Sequence, residues 1–337
     1  MDVSVLIPVL NEERHLEDAL ESMLDQSFDG TAEYLFIDGG SDDRSVEILE
    51  ELVARDSRIH MLSNPERRTP QALNIGLRAA RGTFIARMDA HAHYPRDYLL
   101  LGVTRLERGD VVSVSGPQVA QGEGRWSRRV ALALDSSLGV GGARFRRRTA
   151  DEIEVDSGFT GLWRRDVLLA HGGWDEGWPN DQDLELAARL RSTGGRIVCL
   201  PAMAASYIPR DSVRALAGQY WRYGFYRVKT SRRHPESLRP SQVLPPLLAV
   251  TLGAACTPVR SVSRPARAAL ALYGVAVLGS TLGTARTATL RDAAPLPLVY
   301  LAMHVPYGFG FLAGCGRWGP PLRALMLRSG IRRPVQR

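Results

Sequence analysis

The sequence predicts an α/β fold, a mostly parallel sheet flanked by helices and followed by C-terminal membrane helices. Three observations point there. Strand-like apolar runs alternate with helix-spaced apolar residues over the first hundred or so positions, the pattern of βαβ units. Turn residues and carboxylates fall directly behind those strands, where ligands of parallel sheets sit. The last third of the chain carries long runs without a charge.

The elements follow in order. Val3–Ile7 reads as a buried strand and Glu12–Leu24 as a helix with Leu16, Leu20 and Leu24 on one face. Glu33–Ile37 is a second strand, ending at Asp38-Gly39-Gly40, and Asp43–Ala54 a helix. Ile59–Leu62 is a short strand, Pro70–Ala80 a helix with proline at its start, and Thr83–Met88 a strand. A helix over Arg96–Leu106, a strand over Val111–Ser115, a loop at Arg144–Arg148, a helix over Asp183–Leu190 and a strand over Arg196–Leu200 complete the front. Behind it, Pro240–Val259, Ala268–Ala285 and Ala293–Gly316 are 20, 18 and 24 residues long without a charge. About 20 apolar residues cross a bilayer core. The expected organisation is a catalytic domain over 1–208, a basic and aromatic interfacial segment over 209–239, two or three membrane helices within 240–316, and a basic tail over 317–337.

Composition sharpens this division. At 45% hydrophobic and 23% charged residues, the 337-residue chain is that of a folded protein. From Pro209 onward, 19 Lys and Arg face 3 Asp and Glu, a net of +16, whereas the first 208 residues carry −9. A basic rear suits nucleic acid or an anionic membrane surface. Here the arginines flank bilayer-length runs, which favours the membrane and excludes nucleic acid as a partner. Three cysteines, Cys199, Cys256 and Cys315, have no motif spacing and imply neither a disulfide framework nor a zinc site. The chain opens on a strand-like run rather than a secretory signal, so the front domain is expected on the cytosolic side of the cytoplasmic membrane. Three full spans would put the basic tail outside, against the positive-inside tendency; two spans with a partial insertion of the proline-bearing first run would keep it inside.

Five motifs carry chemistry. Pro8-Val9-Leu10-Asn11-Glu12 follows the first strand, where Asn11 is also a helix cap. Asp38-Gly39-Gly40-Ser41-Asp42-Asp43 places a carboxylate on a tight turn, able to accept from a base N–H or ribose hydroxyls, or simply an Asp-Gly turn. In Asp89-Ala90-His91, extended backbone puts both side chains on one side, where carboxylate plus imidazole suits Mn²⁺ and a carboxylate with phosphates and water suits Mg²⁺; a polar loop is the alternative. Gly172-Gly173-Trp174-Asp175-Glu176 precedes Asn180-Asp181-Gln182-Asp183, where an aspartate opening a helix is either a base facing a cleft or a cap. Trp174 and Trp178 are sugar-stacking rings or core. Gln219-Tyr220-Trp221-Arg222-Tyr223 offers Arg222 to phosphate oxygens, or forms an interfacial belt.

In this order and at these spacings the motifs resemble the inverting family 2 glycosyltransferases of the GT-A fold, a Rossmann-like sheet, and most of all bacterial succinoglycan and exopolysaccharide biosynthesis transferases. The likeness runs from about Val3 to Arg239 and includes Asn74-Ile75-Gly76 leading into Asp89. It implies a membrane-associated, metal-dependent enzyme that moves a sugar from a nucleotide-sugar donor, with UDP the expected nucleotide, to a hydroxyl of a glycan or polyprenyl-linked glycan. It further implies that Asp38, with Pro8, Val9, Asn11, Glu12, Asn74 and Asp89, binds the donor. Asp89 and His91 would hold the divalent metal (Mn²⁺ or Mg²⁺), His91 standing where the family has a second aspartate. Asp183 would be the catalytic base; the register to Arg189 favours it over Asp181, and Gln182 replaces the family's glutamate. Trp174, Gln182, Gln219 and Arg222 would meet acceptor and diphosphate. Two rivals stand beside this. A nucleotidyltransferase on a related sheet would need a Gly-rich basic loop, which the segment after Ile7 lacks. A catalytically inactive membrane scaffold would not need the carboxylates at 38, 89 and 183.

Overall fold

The computed structural model of the chain describes residues 1–141, 143 and 150–329. The expected loop at Arg144–Arg148 and the last eight residues of the tail lie outside them. In chain order the elements are β1 (Val3–Val9), α1 (Leu16–Leu24), β2 (Ala32–Asp38), α2 (Ser45–Arg55), β3 (Ile59–Ser63), α3 (Thr69–Ala79), β4 (Phe84–Arg87) and β5 (Ala92–His93). Then come α4 (Tyr98–Glu107), β6 (Ser113–Gly116), β7 (Gln118–Ala120), α5 (Arg125–Asp135), α6 (Ser137–Val140), β8 (Ile153–Glu154), β9 (Phe159–Arg164) and α7 (Arg165–Ala170). The chain continues through α8 (Gln182–Ser192), β10 (Ile197–Cys199) and β11 (Ala205–Tyr207) into α9 (Val213–Arg233), α10 (Leu244–Ala255), α11 (Arg260–Thr284), α12 (Leu290–Ala293), α13 (Leu296–Trp318) and α14 (Leu322–Ser329). The described residues form two compact units, one from 1–119 and 150–207, the other from 120–141, 143 and 208–329.

The first unit is built on an eight-stranded sheet of order β3-β2-β1-β4-β9-β6-β10-β8, with a small second sheet β5-β11-β7. The strands β3, β2, β1 and β4 run parallel, and so do β6 and β10. Between these groups lies β9, antiparallel to both β4 and β6, and β8 pairs antiparallel with β10. The sequence predicts no strand at 159–164; its polar opening and glycine hide a period that only pairing on both sides reveals. The helix expected from Glu12 starts at Leu16; ahead of it the Glu12 and Glu13 backbone N–H groups donate to Ser45 and Asp43 in the next crossover.

Apolar residues cover both faces of the central strands. Val5, Ile7, Phe36 and Met88 pack with α1 and α4, while Leu6, Ile37 and Ile85 pack against Leu73 and Leu77 of α3. Both faces buried is the condition of a parallel sheet, and explains why β1 is nearly unbroken apolar sequence. At the sheet's amino-terminal end, Ser4 donates to Glu33 at 2.5 Å, and the Gly82 N–H donates to Ser4 Oγ at 2.8 Å. Gly82 is pressed so close that a Cβ would lie 2.5 Å from the Ser4 nitrogen.

In the second unit, α9 and α13 pack through glycines. A Cβ on Gly224 would meet the Tyr307 carbonyl oxygen at 2.0 Å, and one on Gly310 the Trp221 carbonyl oxygen at 2.2 Å. Close backbone approach of this kind is how helices pack without a hydrophobic driving force. Two stretches are long and apolar enough to cross a membrane, Arg260–Thr284 and Leu290–Trp318. The first of the three charge-free runs forms only the 12-residue α10, which at 1.5 Å per residue is about 18 Å and too short for a ~30 Å core. Along α11 the apolar residues Leu272, Val275, Leu278 and Leu282 are all exposed in the protein itself.

Replacing Gly82 by alanine is expected to cost about 1–3 kcal/mol, since backbone rather than a flexible side chain must move. Thermal unfolding of the variant reads this as a lowered midpoint; an unchanged midpoint would mean the contact relaxes freely.

Candidate active site

The strand order reverses at β1 and β4, so a crevice opens at their carboxyl ends, the expected ligand position in such sheets. Pro8 and Val9 from β1, Glu12 beyond it, and Arg87, Asp89 and His91 from the end of β4 line one cleft there. Asn64, Arg67, Arg68 and Thr69, from the end of β3 to the first residue of α3, line the same cleft.

Arg87 organises the acidic side of this cleft. Its guanidinium is buried, with a side chain 6% exposed, and bridges two carboxylates. Nε donates to Asp89 Oδ1 at 2.9 Å and Nη1 to Asp183 Oδ1 at 2.5 Å. Asp183 is the second residue of α8 and keeps 31% of its side chain exposed. Burial pushes its pKa up, Arg87 pulls it back down, and the Asp89 charge pushes it up again. The indole N–H of Trp174 lies close enough to lower that pKa, yet it is buried outside hydrogen-bond geometry to any partner. The Asp89 backbone N–H donates to the Tyr94 hydroxyl at 2.7 Å. His91 Nδ1 lies 3.0 Å from Glu12 Oε1, so a carboxylate orients the imidazole from the first strand's loop.

Asp38 spends its carboxylate on its own turn, accepting from the N–H groups of Gly40 and Ser41 and from the Ser41 hydroxyl. Its neighbours Ile37 and Gly39 line the cleft. Asn11, in the left-handed region at φ 56, ties the first loop to the second: its Oδ1 accepts from the Asp42 N–H and its own N–H donates to Ser41 Oγ. It does not reach the cleft lining.

Two expected site residues have a different place. Asn74 is buried in α3, and its carboxamide clips the loop before α8: Nδ2 donates to the Trp174 carbonyl at 2.8 Å and to Glu176 Oε1 at 2.9 Å, and Oδ1 accepts from the Trp174 N–H at 2.9 Å. The approach requires glycine at 173, where a Cβ would lie 2.4 Å from Asn74 Oδ1 and φ is 67. Asn74 therefore holds a loop in position and does not face the donor cleft. Trp174 is 1% exposed and packs edge-on to Trp163, with ring centroids 5.7 Å apart, so it offers no face to a sugar. Trp178 is likewise buried. The same loop is held from behind by Arg189, which pairs with the fully buried Glu185 and donates to the carbonyls of His171 and Gly173. Gln182 opens α8 beside Asp183. Gln219 and Arg222 lie on α9 in the second unit; Gln219 Nε2 donates to the Tyr223 hydroxyl at 3.0 Å and Arg222 is exposed.

Arg67, Arg68 and Arg87 escape a reading of the sequence by itself. A signal for the first two is nonetheless present: paired arginines after a strand, opening a helix, in a domain that is otherwise acidic. Among the described residues no group of three or more His, Cys, Asp and Glu side chains could hold a metal. Asp89 and His91 do share the cleft, and an oxygen and a nitrogen ligand would suit a first-row divalent ion.

Comparison with known proteins places the chain in a family and a fold. The glycosyl transferase family 2 domain matches residues 4–172. The succinoglycan biosynthesis protein ExoA of Rhizobium meliloti is 31% identical over 243 residues, 72% of this chain and 73% of that one. A dolichyl N-acetyl-alpha-D-glucosaminyl phosphate 3-beta-D-2,3-diacetamido-2,3-dideoxy-beta-D-glucuronosyltransferase of Methanococcus voltae is 25% identical over 236 residues, 66% of this chain and 71% of that one. Among solved structures, the mannosyltransferase PcManGT of Pyrobaculum calidifontis, in complex with GDP-Man and Mn²⁺, aligns over 98% of this chain and 88% of its own with a TM-score of 0.54 at 19% identity. That likeness shows the GT-A fold.

Asn74→Ala leaves the buried N–H and C=O of Trp174 without partners, at about 1–3 kcal/mol for each. Thermal denaturation is expected to register this as a large destabilisation; a variant as stable as the parent would remove Asn74 from the role of clip.

Proposed function

The chain belongs to glycosyl transferase family 2, and on that premise we propose that it is a membrane-associated inverting transferase, moving a sugar from a nucleotide-sugar donor, UDP-linked by preference, to a hydroxyl of a lipid-linked or polysaccharide acceptor in exopolysaccharide or cell-surface glycan synthesis. One observation carries the reading: Asp183 at the start of α8 and Asp89 behind β4 are held by the same arginine at one cleft.

In the proposed reaction Asp183 takes the proton of an acceptor hydroxyl. That oxygen bonds to the anomeric carbon as the bond from carbon to the diphosphate oxygen breaks on the opposite face. The products are an inverted glycoside and a nucleoside diphosphate. Pro8, Val9 and Gly39 of the Asp38 turn border the nucleotide, and Arg67 and Arg68 of the same cleft meet phosphate charge. Asp89 and His91 would hold a divalent cation, Mn²⁺ or Mg²⁺, which when bound would offset the charge of the diphosphate leaving group. Glu12 orients His91 for that task. Gln219 and Arg222 are assigned to the acceptor and diphosphate from the resemblance alone.

Membrane attachment rests on the two spanning-length helices and the exposed apolar face of α11. The arginines in the first turns of α11 (Arg260, Arg264, Arg267) and at or beyond the end of α13 (Arg317, Arg323) outnumber Arg286 and Arg291, which lie between the charge-free stretches of the two helices. Two antiparallel spans put the first group on one side, which the positive-inside tendency makes cytosolic. The catalytic domain then faces the cytosol, where nucleotide sugars are made.

General base catalysis contributes ~10²–10⁴-fold. Asp183→Asn is expected to lose turnover on that order while UDP binding, followed by calorimetry, survives; wild-type turnover in the variant would sink the base assignment. The base works ionised and its pKa is raised from 3.8, so kcat/KM is expected to fall as pH drops, with a midpoint above that ordinary value. A single cysteine placed at Arg323 is expected to resist an impermeant thiol reagent added outside sealed cells; labelling from outside would contradict the two-span arrangement.

A further inference from the structure

We propose that Arg87 is a positioning residue of the transfer reaction, a fixed cationic bridge that sets the base Asp183 relative to the metal-motif carboxylate Asp89. The inference rests on the reading of those two aspartates given above. The strand that carries Arg87, β4, is paired on one side with β1, where Arg87 lies beside Leu6, and on the other with β9, where it lies beside Gly161. The backbone is thus held from both sides. Extended geometry puts residues 87 and 89 on the same side of the chain, so Nε reaches Asp89 within its own segment. Nη1 reaches 96 positions along the chain to Asp183. Two different nitrogens of one planar, rigid group therefore fix two carboxylates that no backbone contact joins.

A buried guanidinium has to be paired, and removing Arg87 leaves the charges of Asp89 and Asp183 without the cation between them. Arg87 holds the base by one oxygen, and it holds the negative charge of Asp89 and Asp183 together before any donor arrives. Among the described residues, Arg87 from β4, Asp89 just behind it and the Trp174 indole from the loop before α8 act on Asp183. Of these three Arg87 is the cation. A lysine would keep the charge but not the fork.

The test uses the full chain in detergent with Arg87→Met and Arg87→Lys. Two readouts separate positioning from mere packing. The first needs no donor: the infrared carboxylate band of Asp183, isolated by subtracting Asp183→Asn, is titrated with pH. An opposite charge at this range lowers a carboxylate by about 1–3 units, so Arg87→Met is expected to move the titration up by about that much. Arg87→Lys is expected to stay near the parent. The second is turnover with the nucleotide sugar that the parent uses. A misplaced base costs ~10²-fold, so Arg87→Met is expected to lose kcat on that order, with the acidic limb of the pH profile moving up in step and the donor KM nearly constant. Arg87→Lys is expected to recover the limb but only part of kcat. An Asp183 titration that coincides in parent and Arg87→Met overturns the proposal. Should Arg87→Met fail to fold, Arg87→Lys decides alone: a kcat equal to the parent's overturns the bridge. A parent that transfers sugar from no nucleotide sugar would defeat the functional reading, while the infrared titration would still decide whether Arg87 holds Asp183.

Discussion

Negative charge gathered in one crevice is the constraint on which this structure turns. A parallel sheet delivers the carboxyl ends of its strands to one edge; here Glu12 beyond β1 and Asp89 beyond β4 line the crevice, Asp38 closes β2 between the lining residues Ile37 and Gly39, and α8 brings Asp183 to Arg87. Each has to be neutralised or given donors. Asp38 folds back on the N–H groups of its own turn, Glu12 meets His91, and Asp89 and Asp183 share Arg87. The result is a set of carboxylates that each have a donor or cation partner, beside a cleft whose lining also offers Arg67 and Arg68. Such a cleft suits a ligand whose own negative charge is accompanied by a cation.

Positioning comes from loops clipped at both ends rather than from the sheet alone. The segment before α8 approaches the sheet through two glycines in the left-handed region and is pinned by Asn74 in front and Arg189 behind. The first and second crossovers are tied by reciprocal contacts of Asn11, Ser41 and Asp42. These residues never touch the cleft, yet they hold the groups that do. A polar side chain buried with all its partners resists rotation, and displacing it orphans backbone groups at once.

Much of this is legible in the sequence, for physical reasons that also mark where legibility stops. The parallel half of the sheet announces itself because β1, β2 and β4 are buried on both faces and read as apolar runs ending in turn residues. The family's motifs can be read for the same reason: they sit where strands end. The antiparallel β9 cannot, since its place comes from pairing with distant strands and its own residues alternate poorly. Asn74 and Trp174 read as ligand contacts because polar and aromatic residues near a site look alike whether they face inward or outward; burial alone separates them. Arg87 closes an apolar strand, and its role is hidden because nothing local shows that its partner lies 96 positions away. In the second unit, charge-free length overstates the first run, whose prolines confine it to the short α10.

The most direct test is a crystal structure of the protein grown with UDP and Mn²⁺, with anomalous scattering used to find the metal. An anomalous peak is predicted at Asp89 and His91, with the diphosphate on the same ion and the uracil beside the Asp38 turn. Nucleotide bound elsewhere, or a manganese peak remote from Asp89, would contradict the assignment of this cleft.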